Sequence, residues 1–243
     1  MWNKLKQAEW VKWAPNSDMV VALLTLVWLT AAFYTMNRTM SLVFILFGFM
    51  LLTNLIVNVV LPTYWVVGYR KQPLSELGIT TRYWLPSLIL SLLIAVLRWP
   101  SLGPLLKGRD WVPHVLTAML TFWNPFFLHG WLQLRFERAF CVMPGILLGG
   151  LGLAVYHLGT SPYPHLVEMI VEGIAFGALF RLTRNLLMLW PLAWGINRAV
   201  GTATAGRFFD WRMVPIYAVL LVIQLGFIVY MDRRRARMDT TNW

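Results

Sequence analysis

Long apolar runs, separated by short polar or proline- and glycine-bearing breaks, recur along the whole chain. Their length and unbroken character predict helices over residues 19–36, 42–62, 84–97, 111–133, 139–157, 165–180, 186–199 and 213–231. Between the second and third helices, Tyr69-Arg70-Lys71-Gln72-Pro73-Leu74-Ser75-Glu76-Leu77-Gly78 is a polar connection. A short surface helix is expected there, begun at Ser75 or the preceding Pro-Leu turn and ended by Gly78. Arg181-Leu182-Thr183-Arg184-Asn185 predicts a tight turn. Gly145, Gly149, Gly150 and Gly152 give the fifth helix a thin face for close helix approach.

Composition fixes the class. The chain is 58% hydrophobic and only 13% charged, with mean hydropathy +0.61. A soluble domain of 243 residues does not carry that much apolar surface. The expected fold is an all-α polytopic membrane protein, one eight-transmembrane-helix bundle spanning residues 1–243. Alternating ten-residue segments of a β-barrel are not seen. Residues 1–18, with Lys4, Lys6, Lys12, Trp2, Trp10 and Trp13, read as an interfacial amphipathic segment. Residues 232–243 read as a basic cytoplasmic tail.

The net charge of +11 does not point to nucleic acid, because Lys and Arg sit in short loops and at the ends, with no recognition module. With both termini inside, inner segments hold fourteen of the 21 Lys and Arg residues. That bias predicts eight spans with both termini cytoplasmic, in a bacterial inner (cytoplasmic) membrane, and contact of the basic face with anionic lipids. The single cysteine, Cys141, excludes an internal disulfide and a cysteine-based zinc cluster. It is expected as a buried small residue at a helix start.

The stretch around which the chain is organised is 122–138, Phe-Trp-Asn-Pro-Phe-Phe-Leu-His-Gly-Trp-Leu-Gln-Leu-Arg-Phe-Glu-Arg. Asn124, Pro125 and His129 stand at membrane depth in it, and Gly130-Trp131-Leu132-Gln133 follows. Leu153-Ala154-Val155-Tyr156-His157 ends the fifth helix, and Trp194-Gly195-Ile196-Asn197-Arg198 lies in the seventh. In order and spacing these three places resemble the CPBP intramembrane protease family, which includes the CAAX prenyl endopeptidases. The resemblance covers roughly residues 70–200 and includes the Pro-Leu-x-x-Leu-Gly element before the third span and the turn after Phe180.

The resemblance implies a bundle whose helices meet at a glutamate base and histidines that activate water, with a metal. Here the family's Glu-Glu reads Asn124-Pro125, its arginine reads His129, and its His-x-x-x-Asn/Asp reads Trp194 and Arg198. His157 alone keeps the family's residue type. Peptide hydrolysis needs a base for the water and an electrophile or donor for the oxyanion. Asn124 cannot be the base, Trp194 cannot ligate a metal, and one histidine is one ligand where a catalytic zinc typically takes three. The vestigial positions are therefore Asn124, Pro125, His129, His157, Trp194 and Arg198, and no residue is assigned as catalytic.

The polar residues have structural readings too. His157 is expected to hydrogen-bond a neighbouring helix, His129 to pack between helices, and Asn124-Pro125 to form a kink in which Asn124 satisfies a freed carbonyl. On the sixth helix His165, Glu168 and Glu172 share a face. Glu172 is too deep to reach water by snorkelling and needs a partner: His157, His129 or an arginine of another subunit. His157, His165, Glu168 and Glu172 form a candidate buried polar site, with a relocated metal site of the same four as an alternative. Trp123, Trp131, Trp190 and Trp194 pack the core or line a groove for a lipid, isoprenoid or pigment.

The expected function is that of a catalytically inactive CPBP-like protein, an accessory subunit or assembly factor whose partners are other integral membrane proteins. No cofactor is predicted. A divergent metal-dependent intramembrane protease and a binder of an isoprenoid, quinone or pigment are the alternatives.

Overall fold

Proline and glycine set where the helices stop, and the apolar runs between them set what they bury. The computed structural model describes residues 12–39 and 41–240, so most of the expected amphipathic segment, including Trp2, Lys4, Lys6 and Trp10, and also Trp243, lies outside the described residues. The described residues are helical, with no strand among them. Helix α1 is Ser17–Thr39 and α2 is Phe44–Tyr69. A single tight turn, Leu74–Leu77, follows and ends on Gly78 at φ 71°, as the Pro-Leu-x-x-Leu-Gly spacing anticipates. Helix α3 is Trp84–Leu105 and α4 is Trp111–Met119, capped by the Asp110 carboxylate on the amide of Val112.

Helix α5 covers residues 123–140 and α6 is Val142–Val155; α7 is Tyr163–Thr183, α8 covers residues 186–204, and α9 is Met213–Thr240. Among the described residues, four helices are long and apolar enough to cross a membrane: Ser17–Thr39, Phe44–Tyr69, Trp84–Leu105 and Met213–Met238. Their outward faces carry exposed Val27, Phe47, Ile89, Val96 and Val222, the apolar surface a bilayer would cover.

The continuous helix expected over 111–133 is two helices. The chain breaks at 120–122, one turn before Pro125, because a proline ring clashes with the carbonyl four residues earlier and has no N–H to offer it. Beyond the break α5 runs on to Phe140, with wider i→i+5 turns over Phe126–Gln133. Every residue from Thr121 to Phe136 is buried, so α5 is the axis of the bundle.

Helix α6 packs on α5 and α7. A Cβ on Gly150 would stand 2.6 Å from the backbone nitrogen of Ile174, and one on Gly145 2.7 Å from that of Glu137. The thin face expected of these glycines is therefore used against both neighbours. Cys141, half-buried rather than buried, sits between α5 and α6 at φ 76°, where the chain turns.

Ion pairs gather at one end of the bundle. Asp18 accepts from Arg70 at 2.7 Å and from the Trp65 indole at 2.9 Å, and lies 3.6 Å from Arg135, whose side chain is fully buried. Arg138 pairs with Glu76. Glu137 accepts from Arg184 at 2.6 Å and from Arg181 at 3.4 Å. Such cross-helix pairs tie α1, α2, α5 and α7 together before the apolar stretch begins.

Candidate functional site

At the opposite end, where α6 ends and α7 begins, a cavity opens between α5, α7 and α8. Asn124 of α5, His157 just beyond α6, Glu172 of α7, and Trp194 and Arg198 of α8 line it, with Arg207 at its exposed rim. The space open to the centres of water molecules is about 80 Å³. At some 10–15 Å³ of such space per water, it holds roughly five waters or one small polar group.

The three sequence stretches that carry the family resemblance thus meet on one wall, through Asn124, His157, Trp194 and Arg198. Pro125 and His129 do not line the cavity. His129 is fully buried between α7 and α8, its ring 4.9 Å from that of Phe176 and 5.6 Å from that of Trp194. Its Nδ1 bonds Gln133 Oε1 at 2.8 Å; the Gln133 amide donates to Glu137 at 2.9 Å and to the Gly177 carbonyl at 3.0 Å. With Glu137 held by Arg184, a polar ladder at spacing i, i+4, i+8 runs along α5 from the core to the ion-paired end.

Asn124 does not satisfy a freed carbonyl, as expected from the neighbouring proline. Its amide donates to the Tyr156 hydroxyl at 2.8 Å, because the break at 120–122 has already taken the strain out of the helix. His157 does not make the hydrogen bond expected of it to a neighbouring helix either. Its Nδ1 bonds the Leu153 carbonyl of its own helix at 2.8 Å, and its ring packs on Phe33 at 4.6 Å and Tyr156 at 4.1 Å. With Nδ1 as the donor, the Nε2 lone pair of His157 is left as an acceptor.

The candidate polar site His157, His165, Glu168 and Glu172 is only partly assembled. His157, His165 and Glu172 line the cavity and Glu168 does not. The Glu168 side chain is 63% exposed and accepts from or bonds His165 Nδ1 at 3.1 Å, on the outward side of α7. Glu172 pairs with neither His157 nor His129: Arg98 of α3 lies 2.7 Å away in the same chain. Among the described residues no three His, Cys, Asp or Glu side chains converge to hold a metal.

Asn124, Trp194 and Arg198 do not fit a hydrolytic metal centre. Asn124 spends its amide on Tyr156, Trp194 offers only an N–H, and Arg198 repels a cation. What the wall does hold is unspent hydrogen-bonding capacity. Asn124 Oδ1, Trp194 Nε1 and Arg198 Nε are buried and have no partner in the protein.

Gln133, Tyr156 and Arg98 are the contributors that sequence reading passes over. Gln133 and Glu137 were visible as the i+4 and i+8 neighbours of His129. Arg98 carried no such signal, being 74 residues from Glu172. The chain matches no protein-family model, no curated protein and no solved structure.

Proposed function

We propose that this is a non-catalytic membrane protein of CPBP-like architecture, with eight spans and both basic ends on the cytoplasmic side, serving as an accessory subunit or assembly factor for other integral membrane proteins. The observation that carries the reading is the wall of one cavity. The positions where a CPBP-like mechanism needs a carboxylate base and a second histidine are Asn124, bonded to Tyr156, and Trp194. A scaffold of this kind keeps its packing and lacks its base. The shorter helices α4 to α8 cluster around the buried α5, and the four long apolar helices supply the lipid-facing surface.

The test is the intact mass of the natively expressed protein, extracted gently and kept in lipid particles. A second membrane protein present at fixed ratio is the expected result. A chain that comes out alone, or only with copies of itself, overturns the subunit reading.

A divergent protease is the second reading, favoured by the meeting of His157 and Glu172 on the same cavity. It requires Glu172 to serve as base while held by Arg98. A binder of an isoprenoid, quinone or pigment is the third reading; it calls for an apolar groove, whereas Asn124, His157, Glu172 and Arg198 make much of this wall polar.

A further inference from the structure

We infer that the cavity between α5, α7 and α8 binds a phosphate group that carries or adjoins an O–H or N–H donor, whether a phospholipid headgroup or free hydrogen phosphate. This rests on the non-catalytic reading of the same cavity and adds its ligand.

Charge is the first argument. Arg198 and Arg207 both line the cavity, and among the described residues neither has a carboxylate within ion-pair distance. Arg207 donates to the Asn37 side chain at 3.0 Å. The one acid on the wall, Glu172, is offset by Arg98. Two guanidinium groups facing a half-enclosed space of low polarity call for an anion, and arginine prefers the planar or tetrahedral oxyanions it can grip with two N–H groups.

The unpartnered atoms narrow the class. Asn124 is 1% exposed and Trp194 is 4% exposed, and each of these lining residues has one buried polar atom without a partner, as does Arg198. A buried polar atom without a partner costs free energy until a ligand or water supplies one. Trp194 Nε1 and Arg198 Nε need acceptors, whereas Asn124 Oδ1 needs a donor. A carboxylate satisfies the first two and leaves Asn124 facing a lone pair. Hydrogen phosphate, or a phosphodiester beside a hydroxyl or ammonium, brings acceptors and a donor together and so matches both demands. The size also fits, since the space suits one such group, and the exposed rim at Ala205 and Arg207 leaves it a way in.

The experiment uses the full chain, stripped of lipid in detergent, in two arms. In the first, native mass spectrometry counts phosphatidylglycerol or phosphatidylcholine retained per chain. In the second, inorganic phosphate is titrated against tryptophan emission. Retention of one phosphatidylglycerol, tighter than phosphatidylcholine, which has the phosphate and lacks the donor, identifies a lipid headgroup. A saturable phosphate response without lipid retention identifies the free anion.

In whichever arm binds, Arg198→Gln is expected to weaken the affinity by about tenfold or more. Trp194→Phe, which keeps the ring and removes one N–H, is expected to weaken it a few-fold. Absence of binding in both arms overturns the inference. So does unchanged affinity in Arg198→Gln or, should that variant fail to fold, in Trp194→Phe. Co-purifying subunits are scored before delipidation, so failure of the ligand and failure of the subunit reading are separate results.

Discussion

The side-chain amide of Asn124 donates to the hydroxyl of Tyr156 at 2.8 Å across two buried helices. This bond holds α5 to the end of α6 at the point where the cavity begins. Tyr156→Phe removes the acceptor and leaves a buried N–H unpaired, at a cost of about 1–3 kcal/mol. The double change Asn124→Leu with Tyr156→Phe is expected to cost less than the two single changes added together. Thermal unfolding in detergent micelles measures both; an unaltered midpoint in Tyr156→Phe would mean that the bond is not formed.

Glu172 and Arg98 form a pair at 2.7 Å with side chains 27% and 37% exposed. Because solvent reaches both, their coupling is expected to be about 1 kcal/mol or less. The informative experiment is the exchange, Glu172→Arg with Arg98→Glu, which should recover most of the stability lost by either single reversal. No recovery would assign Glu172 a partner on a different chain.

Helices α6 and α7 touch through bare backbone. A Cβ on Gly173 would lie 2.7 Å from the Gly150 carbonyl oxygen and 2.8 Å from its Cα. Since neither is the end of a flexible side chain, Gly173→Ala must push the helices apart, at about 1–3 kcal/mol. Gly226 of α9 has nothing within 4 Å of its virtual Cβ. There Gly226→Ala is expected to stabilise by roughly 0.5–1 kcal/mol. Opposite signs for the two alanines, read as shifts in the unfolding midpoint, check the packing; equal effects would contradict it.

At the ion-paired end Glu137, whose side chain is 5% exposed, receives Arg184 at 2.6 Å and Arg181 at 3.4 Å. Arg184→Ala is therefore expected to cost more, about 1–2 kcal/mol once its own partial exposure is allowed for. Arg181→Ala should fall within about 0.5 kcal/mol of the parent. The reverse order in a urea or thermal series would move the principal contact to Arg181.

Sequence made the architecture legible where one residue type forces one outcome. Gly78 had to end the turn before α3, and the glycines of α6 had to face a neighbour. The meeting of Asn124, His157 and Trp194 followed from their common depth along three helices. Long-range pairing was not legible: nothing local joins Arg98 to Glu172, because the predicted third helix stopped at 97 while α3 continues through Arg98 to Leu105. Pro125 misled for a physical reason. A proline disrupts the turn before it, so the break appears at 120–122 and not at Asn124-Pro125. Hydropathy predicts eight spans, whereas four helices meet length and apolarity on their own. The remaining segments are shortened by such breaks or carry the polar ladder and the cavity wall.

On the function proposed above, the cavity lined by Asn124, His157, Glu172 and Trp194 carries out no peptide hydrolysis. The most direct test is a comparison of membrane-protein cleavage products in cells carrying the parent chain with those carrying His157→Ala or Glu172→Ala. The account predicts the same set of products in all three. A product present with the parent and lost in both variants, at equal expression and unfolding temperature, would contradict it and make this chain a working protease.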